Sequence, residues 1–144
     1  MERVHASAVS LGGLGVLIEG PSGSGKSDLA LRLIDGGAVL IADDQVRIER
    51  RDGRLLASAP ETIAGRIEAR GIGILTLPHR SRVPLALAVA LAPSRDIERL
   101  PDPQSRALLG VHLPLIRIDP FTASAPAKVR LALQALPGSI MTAP

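Results

Sequence analysis

Gly20-Pro21-Ser22-Gly23-Ser24-Gly25-Lys26-Ser27 is the stretch on which the fold turns. Glycine stands at its first and sixth places, followed by lysine and a hydroxyl residue, which is the pattern of a phosphate-binding loop. Each residue type answers a physical demand. The glycines let the backbone wrap so that successive N–H groups face phosphate oxygens. A helix opening near Lys26 adds its positive end. Lys26 supplies a cation for the β- and γ-phosphates, and the Ser27 hydroxyl is a magnesium ligand. A chance glycine-rich turn would lack the surroundings found here. Residues 15–19 form an apolar run before the loop. After it, Leu29, Ala30, Leu33 and Ile34 share one helical face, and Gly36-Gly37 ends the pattern. Strand, loop and helix in that order predict an α/β fold that grips the triphosphate of a nucleotide.

Working outward, residues 4–11 alternate loosely and, across Gly12-Gly13, make the hairpin partner of residues 15–19. Residues 38–42 are wholly apolar and end at Asp43-Asp44, as a buried central strand would. Residues 46–49 and 55–59 flank Arg51-Asp52-Gly53, a hairpin signal. Residues 67–77 read as extended but broken by Gly71 and Gly73, where the backbone is expected to approach something closely. Residues 85–91 are another buried strand, 105–109 a short helix and 113–118 a last strand. Ser124 followed by Pro126 suggests an N-cap and a first-turn proline for a helix running to Leu136. With no repeat, low-complexity tract or linker, residues 1–144 read as one domain around a mixed central sheet.

Composition narrows the function. The chain has no cysteine, which removes disulfides and thiolate zinc sites and is compatible with a reducing cytoplasm. Residues 1–10 carry no signal-peptide pattern, and the longest apolar stretch, residues 84–93, is too short to span a bilayer. The expectation is therefore a cytoplasmic protein with no membrane partner. The net charge of +3 comes mostly from arginine, only Lys26 and Lys128 being lysines, and it favours anionic partners. Phe121 is the single aromatic residue, and a single-stranded nucleic-acid platform needs stacking, so nucleic acid is not expected. The chain contains no asparagine, which removes the Asn-Lys-x-Asp guanine reader of GTPases, and no Asp-x-x-Gly switch. A small kinase or a non-catalytic nucleotide-binding module remains.

Asp43-Asp44 falls at the carboxyl end of a predicted central strand, where ligands bind in open α/β sheets. Adjacent side chains on a strand point apart, so one acid can help hold magnesium while the other accepts a proton from an attacking hydroxyl. Taken alone, the pair reads equally well as a polar turn. Glu68 and Arg70, two residues apart, fall on one face of a strand and suit either a metal-and-phosphate pair or an exposed ion pair. His5 alone reads as a surface histidine.

Four features taken together resemble a known family: His5, the loop Gly20 to Ser27, Ile41-Ala42-Asp43-Asp44, and Ile67-Glu68-Ala69-Arg70-Gly71-Ile72-Gly73-Ile74. In this order and spacing they are similar to the bacterial HPr kinase/phosphorylases, over about residues 4–136, corresponding to the catalytic domain. The last segment is more specific than the loop. The resemblance implies a P-loop kinase-like domain with a nucleotide-binding core of the phosphoenolpyruvate carboxykinase type. It implies an ATP- and magnesium-dependent protein-serine kinase, a phosphotransferase. Its partner would be HPr, the phosphocarrier of the sugar phosphotransferase system, and the enzyme would be a cytoplasmic homo-oligomer, a hexamer. Carried over residue by residue, Gly20, Pro21, Ser22, Gly23, Ser24, Gly25, Lys26 and Ser27 bind ATP, and Ser27 with Glu68 binds magnesium. Glu68, Arg70, Gly71 and Gly73 belong to the signature segment. The acidic pair supplies the base, Asp44 being favoured with Asp43 beside it. His5 matches an active-site histidine, and Arg106, in Gln104-Ser105-Arg106-Ala107-Leu108, a catalytic arginine.

The chain also departs from the family. Longer members carry an arginine- and glycine-containing segment before the last helix, linked to phosphorolysis of phosphoserine-HPr. Residues 119–126 here contain no arginine, which sets the reverse reaction apart from the kinase. A small-molecule kinase and a nucleotide-sensing module without turnover are the alternatives. Intact Lys26, Ser27, Asp43, Asp44 and Glu68 argue against loss of turnover.

Overall fold

The structure, a computed structural model, describes residues 1–136; residues 137–144 of the expected domain lie outside the described part. The strands are β1 (Glu2–Val4), β2 (Ala6–Leu11), β3 (Leu14–Glu19), β4 (Val39–Ala42), β5 (Val46–Arg51), β6 (Arg54–Ser58), β7 (Arg66–Ala69), β8 (Gly73–Thr76), β9 (Val83–Leu91), β10 (Gln104–Leu108) and β11 (Val111–Ile118). Helix α1 (Lys26–Asp35) follows β3, and α2 (Ala125–Gln134) follows β11.

Three two-residue turns fix the hairpins. Gly12-Gly13 joins β2 to β3, Asp52-Gly53 joins β5 to β6, and Leu109-Gly110 joins β10 to β11. Both residues of each turn have positive φ, the mirror-image geometry whose twist matches that of the flanking strands. The first two turns are signalled by their residues; the third is not. Leu109 stands at φ 48° where Asn or Asp is the usual choice, and residues 105–109, expected as a short helix, belong instead to β10 and its turn. Arg50 donates to the Leu109 carbonyl at 2.8 Å and braces this unusual turn from the neighbouring hairpin.

β9 organises the main sheet. Its first residues pair with antiparallel β6, its last four with parallel β11, and β3 runs parallel along its other edge. Beyond β3 come β2 and β4, and beyond β6 come β5 and β1. One long strand shared among three partners gives the expected mixed sheet, and the central strands are covered on both faces. Val16 and Ile18 of β3, Leu40 of β4 and Leu87 and Val89 of β9 meet the helices. Leu17, Ile41 and Ala88, each one residue out of step, enter a second core on the opposite face. This two-sided burial is why residues 38–42 and 85–91 read as unbroken apolar runs rather than alternating ones. Leu29, Ala30 and Leu33 anchor α1, and Ala125, Val129 and Leu133 anchor α2, on the first face.

β7 and β8 form a separate two-stranded sheet. Gly71 and Gly73 have φ of 89° and 130°, yet nothing lies within 4 Å of where a side chain would start on either. They serve the turn, and no other part of the described chain approaches either of them closely. Arg70 sits in that turn, past the end of β7, so it does not share a strand face with Glu68. Ser124 precedes α2 as expected, with Pro126 in the first turn, but makes no side-chain capping bond. Among the described residues, no helix is long and apolar enough to cross a membrane.

Candidate active site

β3, β4, β9 and β11 all end on the same edge of the sheet, because each runs parallel to its neighbour or is separated from it by one antiparallel strand. The glycine-rich loop from Gly20 to Ser27 leaves the end of β3, and Gly23 and Gly25 take φ of 77° and 102° to turn the backbone into α1. Gly25 is the N-cap of α1 without a side-chain bond, so the first-turn N–H groups have no capping side chain to compete with an anion. Lys26 is buried, and its Nζ donates to the Gly20 and Pro21 carbonyls at 2.8 and 2.9 Å, holding the ammonium across the loop. Ser24 Oγ is buried with no protein partner. A Cβ on Gly20 would stand 2.6 Å from that oxygen, so only glycine leaves the cradle open. An orphaned hydroxyl inside a cradle that a methyl group would fill fits a phosphate group.

Gly25 is under two constraints at once. Its φ of 102° is strained for any L-residue, and an added Cβ would come within 3.2 Å of Pro120 Cγ. Gly25→Ala is therefore expected to destabilise the chain by about 1–3 kcal/mol, read as a lower urea midpoint with an unchanged slope. An unaltered midpoint would show that the loop relaxes out of this geometry.

The acidic pair divides as adjacent residues at a strand end should. Asp43 is buried, and its Oδ1 accepts from Ser7 Oγ and Ser27 Oγ, both at 2.7 Å. Its Oδ2 accepts from the Glu68 N–H at 3.2 Å. One carboxylate thus ties β4 to β2, to the first turn of α1 and to β7. Asp44 takes φ 72°, which swings its side chain out to 68% exposure. There its Oδ1 lies 3.5 Å from His5 Nδ1, and His5 Nε2 lies 3.5 Å from Ser22 Oγ in the loop. His5 is therefore no isolated surface histidine. The break between β1 and β2 sets it between the exposed acid and the phosphate loop.

Glu68 is exposed on β7, between buried Ile67 and Ala69, so its carboxylate points away from the core while its N–H holds Asp43. Ser27, Asp43 and Glu68 offer only oxygen donors, the chemistry magnesium prefers. Ser27 gives its proton to Asp43, which leaves its oxygen lone pairs free for a cation. Among the described residues, no three His, Cys, Asp or Glu side chains converge as a metal cage.

Arg106 lies on β10 and is bound to Glu19, the residue just before the loop, through Nε at 2.8 Å and Nη2 at 3.1 Å. Its Nη1 donates to the Ala107 carbonyl at 2.8 Å. The Glu19 hydrogen bond is the main reason its pKa is raised above the ordinary arginine value. The guanidinium thus sits at the foot of the loop, but already engaged.

Three contributors escape a reading of the sequence alone. Ser7 stands fully buried in an apolar strand, and its partner Asp43 is 36 residues away. Glu19 looks like the polar end of a strand until β10 brings Arg106 to it. Phe121, a residue 78% exposed, lies beside Gly25. A serine in a largely apolar strand was the one available signal, and β2 gives it at both Ser7 and Ser10.

Comparison with known proteins adds four matches. A family model described as the HPr serine kinase C-terminal domain matches residues 1–124. A relative from Geobacillus thermodenitrificans named HPr kinase/phosphorylase is 38% identical over 128 residues, covering 80% of this chain and 41% of the relative. Another of that name, from Clostridium tetani, is 46% identical over 76 residues, covering 53% and 25%. The chain thus spans about a quarter to two-fifths of the length of these curated relatives. A solved structure titled as the Hpr(Ser) kinase/phosphatase from Coxiella burnetii superimposes with a TM-score of 0.82 at 25% identity, covering 93% of this chain and 95% of that one. The two share one mixed α/β fold.

Proposed function

This chain belongs to the HPr serine kinase C-terminal domain family, and from that premise we propose that it transfers the γ-phosphoryl group of ATP to a serine of HPr, with magnesium. The observation that carries the reading is the contact of Ser27 Oγ with Asp43 Oδ1 at 2.7 Å. It joins the phosphate loop to the acidic pair, so nucleotide binding and proton acceptance meet at one place.

The loop from Gly20 to Ser27 holds the triphosphate, with Lys26 against the β- and γ-phosphates. Ser27 and Glu68 hold magnesium, with Asp43 orienting the Ser27 hydroxyl from behind. A magnesium ion held there would neutralise negative charge that develops on the phosphate oxygens. Asp44, exposed and held by His5, takes the proton from the HPr serine hydroxyl as its oxygen bonds to the γ-phosphorus and ADP leaves. Asp44 is better placed than Asp43 for this, because the Asp43 oxygens already accept three hydrogen bonds. Arg106 acts on the developing charge only by releasing Glu19. We propose, on the family resemblance, that the working particle is a homo-oligomer.

Incubating the 144-residue chain with labelled ATP and HPr tests the reading. Label on an HPr serine supports it; label on a small molecule, or none with ATP bound, favours the two alternatives in turn.

The reverse reaction is expected to be weak. Phosphorolysis needs a second anion, inorganic phosphate, beside a site already charged. Residues 119–126 hold no arginine, and Lys128 lies inside α2. Losing one charge-assisted contact forfeits about 1.5–3 kcal/mol, roughly ten- to a hundredfold in rate. Pyrophosphate release from phosphoserine-HPr in millimolar phosphate should fall below the forward rate by that margin. Equal rates would show that arginines in this stretch are dispensable.

A further inference from the structure

β11 ends on the same edge as β3, and the turn that follows it lies against the phosphate loop. Pro120 Cγ and Phe121 Cζ come within 3.2 and 3.6 Å of where a Cβ on Gly25 would stand. Phe121 is the single aromatic residue of the chain, and its side chain is turned to solvent rather than into either core. An exposed phenyl ring on a loose loop would mean little, but this turn is firmly tied. Asp119 Oδ2 accepts from Ser94 N and Ser94 Oγ at 3.0 and 2.6 Å, and its Oδ1 accepts from the Phe121 N–H at 3.0 Å. The Thr122 hydroxyl donates to the Asp119 carbonyl at 3.0 Å. Arg32 of α1 donates to the carbonyls of Pro120 and Thr122. The Ser94 hydroxyl, then the Phe121 N–H, keep the Asp119 carboxyl below the usual carboxylate range, so the brace holds at neutral pH.

Resting on the nucleotide-binding reading above, we propose that Phe121 is the platform on which the base of the bound nucleotide stacks. The phosphate loop fixes one end of the ligand beside Gly25. A flat, exposed, preorganised π-face next to it, at the carboxyl ends of parallel strands, is what the other end requires. Such a contact recognises that a base is present without reading its edge. It gives the one aromatic residue of the chain a ligand.

The test compares magnesium–ATP with magnesium–tripolyphosphate, which has the phosphates and no base, by titration calorimetry on the 144-residue chain. Phe121→Ala should weaken ATP binding about five- to 150-fold, the worth of one stacked base at about 1–3 kcal/mol and 1.4 kcal/mol per tenfold. Tripolyphosphate binding should not change. Because the chain contains no tryptophan or tyrosine, Phe121→Trp supplies a sole indole, whose fluorescence should respond to ATP and not to tripolyphosphate. Unchanged ATP affinity in Phe121→Ala overturns the proposal, as does an equal loss for both ligands, which would make Phe121 a support of the loop. If the wild type binds tripolyphosphate and ATP equally, the base has no platform and the proposal fails while the phosphate loop stands. If it binds neither, the nucleotide reading itself falls.

Discussion

Lys26→Ala is expected to bring phosphoryl transfer to background and to weaken ATP binding. Lys26 is buried, and its ammonium is fixed over the loop by the Gly20 and Pro21 carbonyls at 2.8 and 2.9 Å. A cation held in that way is already in place when charge develops on the transferring group, which is where preorganised electrostatics act most strongly. Removing one such donor costs about 10²–10³ in turnover, and a full positive charge sets that as a lower bound here. No other lysine can take over, since Lys128 stands on α2. Lys26→Arg should not restore activity, because a planar guanidinium cannot occupy the place of a compact ammonium between two carbonyls. The variant also loses two loop hydrogen bonds, so a thermal melt must accompany the assay. Turnover equal to wild type in a folded Lys26→Ala protein would refute the phosphate-loop reading.

The second large effect is expected at the acidic pair, and the structure makes it a two-sided experiment. Asp44→Asn keeps the shape of an exposed side chain and removes its capacity to take a proton. Turnover should fall by about 10²–10⁴, the usual worth of a general base, with ATP affinity little changed. Asp43→Asn strikes a buried acceptor of three hydrogen bonds. An amide retains one acceptor oxygen and turns an NH₂ towards donors. Magnesium-dependent ATP affinity and stability should therefore drop together. A reversed pattern, with turnover lost alone in Asp43→Asn, would move the base to Asp43 and leave Asp44 as the anchor of His5.

Local chemistry explains which parts were legible in the sequence. The loop from Gly20 to Ser27 and helix α1 are specified by residues next to one another, as are the Gly12-Gly13 and Asp52-Gly53 turns. Strands β4 and β9 were legible as buried because both of their faces are covered. Residues 105–109 were misread because Leu109 takes a left-handed turn position that its branched side chain does not advertise. Glycines 71 and 73 were legible as special, and within this chain their positive φ serves the turn between β7 and β8. At the site, the resemblance named Asp43 and Asp44 together, but their separation into a buried and an exposed acid depends on the φ of Asp44. Ser7, Glu19 and Phe121 carry no local signature. Their partners come from strands and turns far along the chain.

The central place of β9 has a consequence for the chain as it is made. β2 and β3 form a hairpin of neighbouring residues, yet the free edge of β3 is closed only by β9, which begins at Val83. At about 5–20 residues per second, that partner emerges roughly 3–13 s after Gly20. During that interval Val16, Leu17 and Ile18 stand on an open apolar edge, the kind of surface to which chaperones are drawn. The loop that leaves β3 therefore leaves the ribosome well before the strand that closes its own sheet edge.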